Sequence, residues 1–239
     1  WLARISDEVF GGALWSLRIW PVLAGAATVL VTGLLARRLG GGRFAQGLAM
    51  LAVVVGPFFL RVGNLLHLPS FEPLFWTSAV YLAVTALSEE RPGLWLGVGV
   101  VAGLGLLNKH TMLLFGGALV VALLLTPARR AFRSPWLWAG GAVAFLLLLP
   151  NLLWQVANGW PTATFIANMQ GTNSREVSPL LFALGQLFYQ GPLSAPLWIG
   201  GLVFCFRTAN ERLRLVGWIY VLLFGALMLI GSKIYYIAP

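Results

Sequence analysis

The sequence predicts an all-α integral membrane protein, a bundle of about eight transmembrane helices, and three observations carry that expectation. Hydrophobic residues make up 59% of the chain and charged residues 10%, with a mean hydropathy of +0.85, well outside the range of soluble globular domains. Apolar runs recur at 17–36, 44–62, 73–88, 94–107, 111–126, 136–154, 180–206 and 215–231. Most approach the roughly 17 to 25 residues needed to cross about 30 Å of hydrocarbon. Finally, the arginines alternate between the connections in a way that fits one parity of crossing.

The runs are justified in order by what separates them. Arg37, Arg38 and Arg43 close the first run and open the second, and the third begins at Pro73, just after Glu72. The fourth and fifth runs are short, but read as one helix they would give roughly 33 residues at about 1.5 Å each, far longer than the bilayer is thick. A tight hairpin at Asn108-Lys109-His110 is therefore expected. Arg129, Arg130 and Arg133 follow the fifth run, and Arg207, Arg212 and Arg214 follow the seventh. Keeping 180–206 as one span, bent at Pro192 and Pro196, puts ten of the 16 basic residues on a single face, which the positive-inside rule makes cytoplasmic. The net charge of +9 then reflects topology, and a nucleic-acid surface is excluded because no large soluble face exists to carry it. The single Cys205 leaves no disulfide framework and no cysteine metal site. With no internal repeat and no long linker, residues 1–239 read as one membrane domain. Within it, residues 1–16 form a possible interfacial amphipathic helix, because Ile5, Val9, Phe10 and Leu14 recur at helical spacing.

The outer face gathers 1–16, 63–72, 108–110, 155–178 and 232–239, and these pieces hold both histidines, both lysines and four of the seven acids. Glu72 lies where the chain re-enters the membrane, so its carboxylate is a candidate general base or metal ligand. The plainer reading makes it a helix-start acid, with Pro73 at the first helical position. Lys109 and Lys233 run against the positive-inside trend, and either could hold an anionic phosphate or could snorkel to the headgroups. Tyr235 and Tyr236 follow Lys233 and suit a sugar or a lipid, though aromatic belts also produce such pairs. His67, as a lone imidazole, reads more readily as a loop residue.

Four segments in this order carry a resemblance: Phe71-Glu72-Pro73-Leu74-Phe75-Trp76; Gly105-Leu106-Leu107-Asn108-Lys109-His110-Thr111; Pro150-Asn151-Leu152-Leu153-Trp154 with Asn158-Gly159-Trp160-Pro161; and Ser232-Lys233-Ile234-Tyr235-Tyr236. Together they resemble the GT-C glycosyltransferases, and within these the protein O-mannosyltransferases and lipid A aminoarabinose transferases. The resemblance implies a multi-span enzyme that moves a sugar from a polyprenyl-phosphate carrier to an acceptor hydroxyl on a lipid, glycan or protein. The reaction would take place on the periplasmic or external face of what is expected to be a bacterial inner membrane. It also implies substrate-binding roles for Lys109, His110, Lys233, Tyr235, Tyr236, His67 and Trp160, with Glu72 as the catalytic candidate. The family's first span and first-loop acidic motif are expected before Trp1, so the main base is expected outside this sequence and the piece alone is expected to be inactive. The family commonly has Asp where Glu72 stands, so a divalent metal is possible through Glu72 but no metal ligand set is assigned, and no other cofactor is implied. A transporter or lipid flippase would also gather charge at a membrane cavity. However, it would tend to show paired broken helices and ionisable groups near the midplane, and only 180–206 is visibly broken.

Overall fold

The computed structural model describes residues 2–172 and 178–237, which are helical throughout with no strand among them. In chain order the α-helices are α1 (Leu2–Phe10), α2 (Leu14–Arg38), α3 (Arg43–Val55), α4 (Pro57–Val62), α5 (Leu68–Ser88), α6 (Leu94–Asn108), α7 (Thr111–Leu124), α8 (Pro135–Ala157), α9 (Pro161–Thr172), α10 (Pro179–Tyr189), α11 (Ala195–Arg207) and α12 (Glu211–Leu229). Three of them, α2, α8 and α12, are long and apolar enough to cross a membrane, or four spans if α7 and the 3₁₀ segment Pro127–Arg133 are taken together. The other apolar runs form shorter helices. The run 44–62 divides into α3 and α4 at Gly56-Pro57, where Gly56 takes an extended backbone and Pro57 supplies no N–H to continue the ladder. The run 180–206, expected as one bent span, divides into α10, a 3₁₀ turn at Pro192–Ser194, and α11. The hairpin at Asn108-Lys109-His110 is present, with Lys109 extended between α6 and α7.

The core runs along α5, whose Trp76, Ala79, Val80, Ala83 and Val84 are buried among Trp95, Phe115, Leu119, Phe182, Leu223 and Leu227. At about 1.5 Å per residue, its 21 residues make a rod about 30 Å long with Glu72 near one end and Glu89 just past the other. α6 and α8 run side by side in the same direction on small residues. A Cβ added at Gly99 would lie 2.0 Å from the Gly140 carbonyl oxygen, and one at Gly140 would lie 2.2 Å from that of Trp95. Gly103 in turn faces Ala144 and Leu147. Such close backbone approach is how apolar helices gain contact where no hydrophobic effect separates helix from lipid.

Both ends of the bundle are fixed by local geometry. α7 turns through 108° into Pro127–Arg133, which lays Arg129, Arg130 and Arg133 across one end. Arg130 there meets Glu211 at the start of α12 at 4.0 Å. On that same end Arg38, in the last turn of α2, pairs with Glu89. At the opposite end α12 stops in a Schellman motif, with Gly231 at φ +61°, its N–H donating to Met228 and that of Ser232 to Leu227. This reversal sends Lys233–Tyr236 back over the start of α5. α1 docks beside α2 through Ser6, which donates to the Ser16 carbonyl and accepts from Trp20 Nε1 at 2.8 Å. It leaves Ile5, Val9 and Phe10 exposed.

Candidate active site

Glu72 is not a helix-start acid. α5 begins at Leu68, with Pro69 in its first turn and Pro73 inside the helix, so Glu72 sits a full turn in and is 3% exposed. The earlier start is fixed by Ser70, whose hydroxyl lies within donating distance of the Val62 and Leu65 carbonyls, and by Asn108 Nδ2, which donates to the Leu68 carbonyl at 3.0 Å. The second contact also ties the α6–α7 hairpin to the head of α5.

That tie places Lys109 Nζ 2.7 Å from Glu72 Oε2, while the Thr111 hydroxyl donates to Glu72 Oε1. Both carboxylate oxygens are therefore engaged. The Lys109 ammonium also lies 3.8 Å from the centroid of Tyr236 and 5.9 Å from that of Tyr235, a cation–π geometry on the Tyr236 face. Burial lowers the Lys109 pKa from the ordinary lysine value, against the raising effect of Glu72, and the nearby positive charge of Lys233 lowers it further. Desolvation first, then Tyr236, pushes Tyr235 up to about 12, and burial raises Tyr236 as well. Both phenols thus stay neutral through the physiological range.

The segments read as separate signals in the sequence converge here. Glu72 comes from α5, Lys109 and Thr111 from the hairpin, and Tyr235 and Tyr236 from the 3₁₀ segment Ile234–Ile237. Lys233 remains exposed and makes no ion pair among the described residues. His67, His110 and Trp160 are exposed, and no hydrogen bond, ion pair or ring contact among the described residues joins them to this group. Trp160 follows α8 with φ +57°, a left-handed conformation that strains a non-glycine residue by about 1 kcal/mol. Thr111, Phe58 and Tyr189 were not singled out from sequence. Thr111 closes the Gly105–Thr111 segment, whereas the ring contacts of Phe58 and Tyr189 with Tyr235, at 6.5 and 6.3 Å, leave no sequence signal. Phe58 and Tyr189 also line a cavity of about 640 Å³ that extends to Thr28 and Thr32 of α2, Ala45 to Val53 of α3, and Leu197 and Trp198 of α11. No three His, Cys, Asp or Glu side chains gather among the described residues.

A helical membrane protein with a buried ion pair under tyrosines at one end of the bundle is the class that this geometry defines. The family model for dolichyl-phosphate-mannose-protein mannosyltransferases matches residues 1–154, well over half of the chain, and the chain belongs to that family of membrane glycosyltransferases. The match includes Glu72, Lys109 and Thr111 and stops before Lys233. No curated protein and no solved structure matches the chain.

Proposed function

We propose that the protein transfers a sugar from a polyprenyl-phosphate carrier to an acceptor hydroxyl on a lipid, glycan or protein. In this reading the eight apolar runs of the sequence are eight crossings, some broken. The Glu72 end faces the periplasm or exterior of a bacterial inner membrane, and α1 lies in the outer interface. The observation that carries the proposal is the Glu72–Lys109 pair beneath Tyr235 and Tyr236, with Lys233 exposed and without an ion pair among the described residues, and an apolar cavity lined by Phe58 and Tyr189, whose rings meet Tyr235.

Charge counting explains the division of labour. Glu72 and Lys109 neutralise each other, so Lys233 supplies the net positive charge that a carrier phosphate needs as the glycosidic bond breaks. Lys109, fixed by Glu72 and the Tyr236 face, is the second cation and is oriented before donor arrives. Tyr235 and Tyr236 line the sugar or the first isoprene unit, and the cavity beyond Phe58 and Tyr189 takes the apolar chain. Glu72 orients Lys109, and the base that activates the acceptor comes from outside these residues. No divalent ion is assigned to Glu72: its oxygens are held by an ammonium and a hydroxyl, and no group of three His, Cys, Asp or Glu side chains gathers among the described residues.

The test is transfer from polyprenyl-phosphate-linked sugar by the intact protein in membranes, read as release of polyprenyl phosphate. Glu72→Gln is expected to lower turnover by at least about a hundredfold while the protein still elutes as a folded species. Near-normal transfer by that variant would overturn the site assignment.

A further inference from the structure

We infer that the arginine-lined recess at the end of the bundle opposite Glu72 binds the phosphate of an anionic phospholipid. The recess has a volume of about 380 Å³, and its polar lining is Arg37, Arg38, Tyr81, Ser88, Glu89 and Arg212, drawn from α2, α5 and α12. Glu89 is the sole carboxylate in this lining. It is already engaged twice, by Arg38 and by Arg91 at 3.3 Å. Arg37 and Arg212 have no acidic partner among the described residues, so two guanidinium groups remain to face whatever enters. Guanidinium forks match phosphate oxygens bidentately and hold them more specifically than a point charge does.

The surroundings select a lipid over a free anion. Leu34 completes the lining and is 44% exposed, with Leu30 one turn deeper on α2 at 61%. A headgroup phosphate in the recess would therefore have an apolar helix face directly below it for its acyl chains. Residues 40–41 support the placement, because Gly40 takes φ +97° and the Gly41 N–H donates to the Ala36 carbonyl at 2.8 Å. This stops α2 just after Arg38 and holds Arg37 and Arg38 at the boundary. Ser88 and Glu89 of the recess lie about 25 Å along α5 from Glu72 at about 1.5 Å per residue, so the cluster is separate from the proposed transfer site.

Native mass spectrometry of the protein taken from vesicles of mixed phosphatidylglycerol and phosphatidylcholine tests this. The protein is expected to retain phosphatidylglycerol in preference to phosphatidylcholine. The double variant Arg37→Gln/Arg212→Gln should lower that retention by at least about tenfold, whereas Arg133→Gln/Arg207→Gln, which removes the same charge outside the recess, should leave it unchanged. Inorganic phosphate added as competitor is expected to displace little of the bound lipid; displacement as effective as by phosphatidylglycerol would show that the ligand is free phosphate and would overturn the lipid assignment. Equal retention by wild type and the recess variant, or an equal loss in the control variant, would overturn the site.

Discussion

At the scale of single residues the proposed chemistry turns on one buried charge pair. Removing either partner of such a pair leaves the other uncompensated and costs about 3 to 5 kcal/mol, so Glu72 and Lys109 also hold the heads of α5, α6 and α7 together. The lowered pKa of Lys109 sets a pH dependence whose sign follows directly. The ammonium is lost at a lower pH than in a free lysine, so kcat/KM should fall on the alkaline side before ordinary lysines deprotonate. Tyr235, pushed up to about 12, remains protonated there and does not produce the limb. Lys109→Arg keeps its charge and should move the limb upward in a pH–rate profile; a limb that stays in place would assign it to another group. Glu72, Lys109, Lys233, Tyr235 and Tyr236 were legible in the sequence because ionisable and aromatic residues at a membrane boundary are rare enough to notice. Their pairing was not, since nothing in the chain order says that a hairpin carbonyl–amide contact, Leu68 to Asn108, brings residue 109 to residue 72. His67, His110 and Trp160 had the same kind of signal and make no hydrogen bond, ion pair or ring contact with the group among the described residues, for composition marks a surface without specifying contacts.

Among the elements, small residues decide the packing. Gly99 and Gly103 on α6 oppose Gly140 and Ala144 on α8 so closely that no side chain fits between. Gly99→Leu should therefore destabilise the bundle by at least about 2 kcal/mol, whereas Gly116→Leu, at a position with open space around it, should be near neutral. Thermal unfolding in detergent distinguishes the two, and equal midpoints would refute the tight α6–α8 contact. The apolar runs located most helices to within a few residues, because hydropathy reports burial in lipid or core. It located breaks less well. The run 44–62 is apolar apart from Gln46 and Arg61, yet Gly56-Pro57 interrupts its hydrogen-bond ladder, and α5 starts five residues before Pro73, where the apolar run opens, since Pro69 is the proline in the first turn.

Over the whole molecule, Arg37 and Arg38 of α2, Arg91 of the α5–α6 turn, the arginines of Pro127–Arg133 and those of α12 meet at one end and the Glu72 group forms the other, as the charge alternation of the sequence anticipates. The segregation gives a topology prediction. In a Cys205→Ser background, Arg130→Cys should react only from the cytoplasmic side and Trp160→Cys only from outside; external labelling at 130 would reverse the membrane orientation. The central claim is that the Glu72 end holds a polyprenyl phosphate, with Lys233, which makes no ion pair among the described residues, as the phosphate-binding cation. Its most direct measurement is binding of polyprenyl phosphate itself, with no sugar attached, to the intact protein and to Lys233→Met. Loss of one charged phosphate contact at about 1.5 to 3 kcal/mol predicts roughly ten- to a hundredfold weaker binding by the variant, and equal affinity for the two proteins would contradict the account.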